Sequence, residues 1–219
     1  MTRRMIVEFT IIACLFAVVP LLFGQEEDKA TALDRKVQAF LHSQRGKWHD
    51  MNVPEADGKL LYDIIVKNGY TKALEIGTST GHSAIWIAWA LSKTSGKLIT
   101  VEVDESRYKT ALDNFKKAGI SEYIDARLAD AHELVPRLEG PFDFVFSDAD
   151  KDWYKNYFDA VAPKLVIGGC YTTHNVSNRT RGYFGLSGYA DYLKSLKNFE
   201  TIFDDRGAGV AISYKKSEK

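Results

Sequence analysis

Downstream of residue 29 the chain alternates between two hydrophobic periods. Short apolar runs at 72–76, 98–103, 123–128, 142–147 and 165–172 have the length of buried strands. Between them, the stretches near 82–92, 105–118, 131–138 and 152–162 carry apolar residues at helical spacing. Strands alternating with helices predict βαβ units, and hence a parallel sheet covered on both faces. Upstream, Ala32, Val37, Ala39, Phe40 and Leu41 lie among charges over 29–43, the pattern of an amphipathic helix. Pro54-Glu55 opens a second helix, with Leu60, Leu61, Ile64 and Ile65 on one face. Two last runs, 200–203 and 210–214, flank the turn Asp204-Asp205-Arg206-Gly207 and predict a terminal antiparallel hairpin, which brings the strands to seven.

The beginning of the chain departs from this pattern. Arg3 and Arg4 precede an apolar run from Phe9 to Phe23, and Gly24-Gln25-Glu26-Glu27-Asp28 returns to polar sequence. That order predicts a signal peptide over 1–24 and a single domain over 25–219. An apolar run of about 15 residues is short against the roughly 20 that span a bilayer, and Glu8 and Pro20 interrupt it further. An uncleaved membrane anchor over 6–23 is the second reading. The protein is thus expected to be exported, periplasmic or secreted, or held at a membrane by this segment alone. Its 219 residues, 45% hydrophobic, suffice for one substantial core. Lys and Arg number 29 against 29 Asp and Glu, so neither nucleic-acid binding nor an acidic disordered tail is implied. Of the two cysteines, cleavage would leave only Cys170, in an apolar run, which reads as a core residue rather than half of a disulfide.

Candidate chemistry collects where open sheets bind ligands, beyond the carboxyl ends of the strands. The first strand runs into Glu75-Ile76-Gly77-Thr78-Ser79-Thr80-Gly81-His82-Ser83. Glycines there admit a ligand close to the backbone, and the following helix offers free N–H groups. Gly77 and Gly81 do not form G-x-G-x-x-G, which argues against a nicotinamide-dependent oxidoreductase. Glu102 ends the second strand, where a carboxylate can accept from two ribose hydroxyls. The fourth strand runs into Asp148-Ala149-Asp150-Lys151, and the fifth ends at Thr172-Thr173-His174-Asn175. Oxygen and imidazole ligands from adjacent strand tips can hold one divalent cation. The segment Ser177–Gly185 suits a lid or an ordinary exposed loop, and Trp153 suits a pocket wall or a helix cover.

From Met51 to about Asn175 the chain resembles the cation-dependent O-methyltransferases of the caffeoyl-CoA and catechol type. Met51 through Asp57-Gly58, Leu74-Glu75-Ile76-Gly77 with Thr80-Gly81, and Asp148-Ala149-Asp150-Lys151-Asp152 match in order and spacing. The resemblance implies a class I, Rossmann-like fold that binds S-adenosylmethionine and methylates a hydroxyl of a small, catechol-like acceptor with a divalent cation. It implies that Val53, Glu75, Gly77, Thr78 and Ser83 line the methionine and ribose part of the donor. Glu102 then takes the ribose hydroxyls, Ala131 lies by the adenine, and Asp148 serves both donor and metal. Lys151 is the implied general base, and His174 and Asn175 the remaining metal ligands. Two departures stand out: His174 where relatives carry Asp, and His82 where they carry Tyr. A homodimer is implied as well. The first departure, with the leader, leaves open a donor-binding module without catalysis.

Overall fold

The computed structural model of the chain describes residues 29–48, 50–177 and 186–218. The leader and most of the Ser177–Gly185 segment lie outside the described residues. Helix α1 covers 29–43. The elements then follow in the expected alternation: α2 (Glu55–Asn68), β1 (Lys72–Ile76), α3 (His82–Lys93), β2 (Lys97–Glu102), α4 (Glu105–Ala118), β3 (Ile124–Leu128), α5 (Ala131–Arg137), β4 (Phe142–Ser147), α6 (Tyr154–Val161), β5 (Leu165–His174), α7 (Ser187–Ser195), β6 (Phe199–Asp204) and β7 (Val210–Lys215). Strand order is β3-β2-β1-β4-β5-β7-β6. The pairings from β3 to β5 are parallel, and β7 runs antiparallel to both β5 and β6.

Local chemistry accounts for most element ends. Asp104 caps α4 by accepting from Arg107 N at 2.8 Å, and Gly119 closes that helix in the left-handed conformation, φ 75°. Asp130 caps α5 in the same way, accepting from His132 N. Helix α3 is buried on every side from His82 to Leu91 because it lies between the sheet and its neighbouring helices. Strand β4 divides its side chains between two cores: Phe144 and Phe146 join Leu61, Ile65 and Ile85 on one face. Val145 joins Leu74, Ile76, Phe158 and Tyr171 on the other. Cys170 is fully buried in the first of these cores, as expected.

Two expectations are corrected. The helix near 152–162 is a 3-10 turn, Lys151–Trp153, followed by the shorter α6 and a second 3-10 turn. Asp150 causes the tight start, accepting from Asp152 N at 3.0 Å. Helix α7 was not expected at all, although Leu186, Tyr189, Ala190 and Leu193 bury one helical face against the second core.

Register decides what meets at the carboxyl edge. Ile76 of β1 stands beside Val101 of β2 and Ser147 of β4, and Ser147 stands beside Thr173 of β5. Antiparallel β7 begins there, with Val210 opposite His174. The turn that leads into β7 therefore lies over the same edge as the parallel strand tips.

Candidate functional site

A cavity of about 730 Å³ opens at this edge, within the range of roughly 300–1,000 Å³ typical of small-molecule sites. Gly77, Thr78, Ser83, Glu102, Ala131, Asp148, Lys151, His174 and Asn175 all line it. Val53 and Glu75 do not. Val53 is buried between Asn52 and Pro54, which do line the cavity, and Glu75 is fully buried. Met51, Ser79 and Asn175 on the cavity wall have positive φ, 47°, 49° and 59°. Strained backbone of this kind collects where a ligand must be met closely. Gly77 has φ 98°, and a Cβ there would come 2.8 Å from the Asp148 carbonyl oxygen, so the turn after β1 needs glycine on both counts.

At the end next to β2, backbone amides set the electrostatics. Glu102 Oε2 accepts from Ser79 N at 2.7 Å, and Oε1 accepts from Val103 N at 3.1 Å and Asp104 N at 3.0 Å. The carboxylate is thereby oriented before any ligand arrives. Glu75 Oε2 accepts from Thr100 Oγ1 at 2.5 Å, while Oε1 is buried without a partner. Burial pushes Glu75 up to about 8, against the hydrogen bonds from Ser83 and Thr100. His82 Nδ1 meets the Val53 carbonyl at 2.8 Å, and the ring stacks on Trp48 with centroids 4.5 Å apart. The departure at His82 thus fastens segment 51–54 to α3. Trp153 stands behind the wall, its ring 4.1 Å from that of His132, and His132 and Tyr157 face the cavity.

At the other end, charged side chains meet one another. Asp148 Oδ1 accepts from Lys151 Nζ at 2.5 Å, and Lys151 Nζ also donates to Tyr154 Oη at 2.7 Å. Tyr154 in turn donates to the His174 carbonyl at 3.0 Å. Burial alone would raise Asp148, but His174 and Lys151 hold it below the ordinary carboxylate range. The His174 ring lies between two carboxylates, with Nε2 2.9 Å from Asp57 Oδ2 and Nδ1 3.0 Å from Asp148 Oδ2. Burial opposes its protonation, yet these carboxylates lift it to about 9. Asp57, missing from the expected site, comes from the first turn of α2. An acidic residue in a first turn is ordinary there, so the matched run ending at Asp57-Gly58 did not by itself mark it as a site residue.

These donors suit a divalent cation. His174 Nδ1 is buried and pairs by charge with Asp148 Oδ2 at 3.0 Å, outside regular hydrogen-bond geometry. Two donors each about 2.1 Å from one ion and roughly 90° apart stand about 3.0 Å from each other. The surrounding carboxylates favour positive charge at Nδ1, which either a proton or a metal supplies. Among the described residues no three His, Cys, Asp or Glu side chains form a metal cluster. The set here is one Asp, one His and, on the same wall, Asn175.

Comparisons with known proteins bear on the family and the fold. A family model described as O-methyltransferase matches residues 26–179. The catechol O-methyltransferase of Niastella koreensis is 43% identical over 112 residues, 49% of this chain and 50% of that protein. Caffeoyl-CoA O-methyltransferase 1 of Zea mays is 34% identical over 128 residues, 56% of this chain and 49% of that protein. The alignments thus span about half the length of these curated relatives. Among solved structures, the Streptomyces achromogenes O-methyltransferase TomG, in complex with SAM, is 25% identical with a TM-score of 0.67, covering 85% of this chain and 90% of that one. An O-methyltransferase from Bacillus cereus, in complex with SAH, is 23% identical with a TM-score of 0.69, covering 83% of this chain and 91% of that one, and shares the fold.

Proposed function

The chain belongs to the O-methyltransferase family, and we propose that it moves the methyl group of S-adenosylmethionine onto a hydroxyl of a small, catechol-like acceptor. One observation carries the reading: the oriented Glu102 carboxylate and the Asp148–Lys151 pair line one cavity on either side of the Gly77 turn. Glu102 accepts from the ribose hydroxyls of the donor. Gly77, Thr78 and Ser83 receive its methionine part, and Ala131 lies beside the adenine.

In the transfer the sulfur–methyl bond breaks and its electron pair stays on sulfur, while the acceptor oxygen bonds to the methyl carbon. The hydroxyl proton leaves to Lys151 Nζ, which takes it after releasing a proton of its own and is held in place by Asp148 Oδ1 and Tyr154 Oη. A cation bound by Asp148, His174 and Asn175 would lower the acceptor's pKa and orient vicinal hydroxyls. The same proposal keeps the leader as an export signal or anchor, which the N-terminal mass of the protein from its native host would test.

The deciding experiment is titration with S-adenosylmethionine, followed by mass analysis of a catechol panel incubated with donor and each of several divalent cations. A mass gain of one methyl group on a catechol is expected. Donor binding with no turnover on any acceptor would leave a binding module in place of an enzyme.

A further inference from the structure

We propose that Asp57 is the positioning residue of the cation site, holding the His174 ring so that Nδ1, and not Nε2, is the nitrogen that meets a metal. The inference rests on the reading of the cavity as a metal-assisted methyltransferase site. Asp57 is 1% exposed, and its Oδ2 lies 2.9 Å from both His174 Nε2 and Ala208 N. An oxygen that already accepts from a backbone N–H and faces the ring nitrogen requires that nitrogen to bear hydrogen. With that hydrogen held on Nε2, Nδ1 is the nitrogen that gives up its hydrogen when a metal binds. That atom is buried and lies 3.0 Å from Asp148 Oδ2, the carboxylate that would share the metal.

Metal-binding histidines commonly donate their second ring N–H to a carboxylate, which sets the tautomer, orients the ring and strengthens the ligand. Asp57 has the place and the partners for that role. Its fit is tight: a Cβ on Gly207 would fall 1.9 Å from Asp57 Oδ1, so the turn into β7 reaches the carboxylate only because that position is glycine. The first turn of α2, the tip of β5 and the turn before β7 thus close on one buried contact. An imidazole ligand, made more basic by a carboxylate behind it, favours borderline cations such as Co²⁺ or Zn²⁺ over Mg²⁺.

The test uses the full chain and Co²⁺ as the probe. Asp57→Asn keeps an oxygen acceptor for both donors but removes the charge. Co²⁺ affinity should fall roughly 10- to 100-fold, and the visible Co²⁺ spectrum should change. Donor affinity, measured on the same samples, should stay unchanged. Equal Co²⁺ affinity in both proteins overturns the proposal, as does a parallel loss of Co²⁺ and donor affinity, which marks Asp57 as merely structural. Should the variant not fold, the wild-type protein still decides. Histidine ¹⁵N spectra with Zn²⁺ bound should show Nε2 protonated and Nδ1 coordinated, and the reverse assignment, or no Zn²⁺ binding, overturns it. Absence of donor binding by the wild type would instead strike the methyltransferase reading, while the Co²⁺ comparison remained interpretable.

Discussion

The two ends of the cavity are built by opposite means. Around Glu102 the chain works locally: two successive strand-to-helix turns bring Gly77, Ser79 and the carboxylate together, and backbone N–H groups hold the charge. Around His174 the contacts are long-range, joining positions 117 residues apart to Asp57 and, through Asp57, 151 apart to Ala208. Side-chain charges balance one another there instead of backbone dipoles. Losses at the first end should therefore stay confined to donor binding. Losses at the second should appear in chemistry and cation binding.

The largest effect is expected at Lys151. Its Nζ sits on the Asp148 carboxylate beside Tyr154, at the wall of the same cavity. Lys151→Ala should lower turnover by roughly 10²- to 10⁴-fold, the usual worth of a general base. Donor affinity by titration should remain, since nothing at Glu102 changes. Full turnover in the variant across the pH range would reduce Lys151 to a counter-ion for Asp148.

Glu102→Ala is the reciprocal case. Removing an ionised acceptor of two hydroxyl hydrogen bonds costs about 1.5–3 kcal/mol, roughly ten- to a hundredfold in donor affinity. Turnover at saturating donor should change far less than in Lys151→Ala. If instead both constants drop together, the two ends are coupled and the division fails.

The same contrast explains what could be read from sequence. The sheet, the hairpin and the gathering of Gly77, Thr78, Ser83 and Glu102 at one edge were legible because each depends on a pattern inside a short window: apolar period, a glycine turn, an acid at a strand tip. Asp148 and His174 could be named from the strand ends that carry them. The partner of His174 could not, because Asp57 reaches it only through the closing of α2 over the edge of β7, and no local pattern records that contact. Helix α7 escaped for another reason. Its face of Leu186, Tyr189, Ala190 and Leu193 is present in the sequence, but it follows directly on a stretch rich in glycine and arginine that reads as loop.

The smallest effect concerns His82, one of several contacts that tie the Glu102 end to the segment before α2; Ser79 Oγ and Arg107 Nε reach Asp50 there as well. His82 Nδ1 lies 2.8 Å from the Val53 carbonyl, and Trp86 Nε1 donates to its Nε2 at 3.2 Å. The neutral tautomer with hydrogen on Nδ1 satisfies both contacts, whereas a second proton would set two N–H groups against each other. Burial accordingly lowers the folded-state pKa below the ordinary 6.5, although the Val53 carbonyl and Glu55 act against it. Below pH 6.5 the unfolded chain takes up a proton that the folded chain refuses, so this stability is complete above 6.5 and is lost as pH falls through and below that value. His82→Phe keeps a ring beside Trp48 and removes the titration. The variant should melt below the wild type at pH 7.5, by about the 1 kcal/mol that a lost hydrogen bond commonly costs. The gap should narrow steadily toward pH 5.5, as the wild type alone loses the advantage. Donor affinity should weaken modestly, because segment 51–54 is no longer tied to α3. A gap that stays constant between pH 7.5 and 5.5 would show that His82 does not titrate as a buried neutral ring, and that Val53 is held by packing alone.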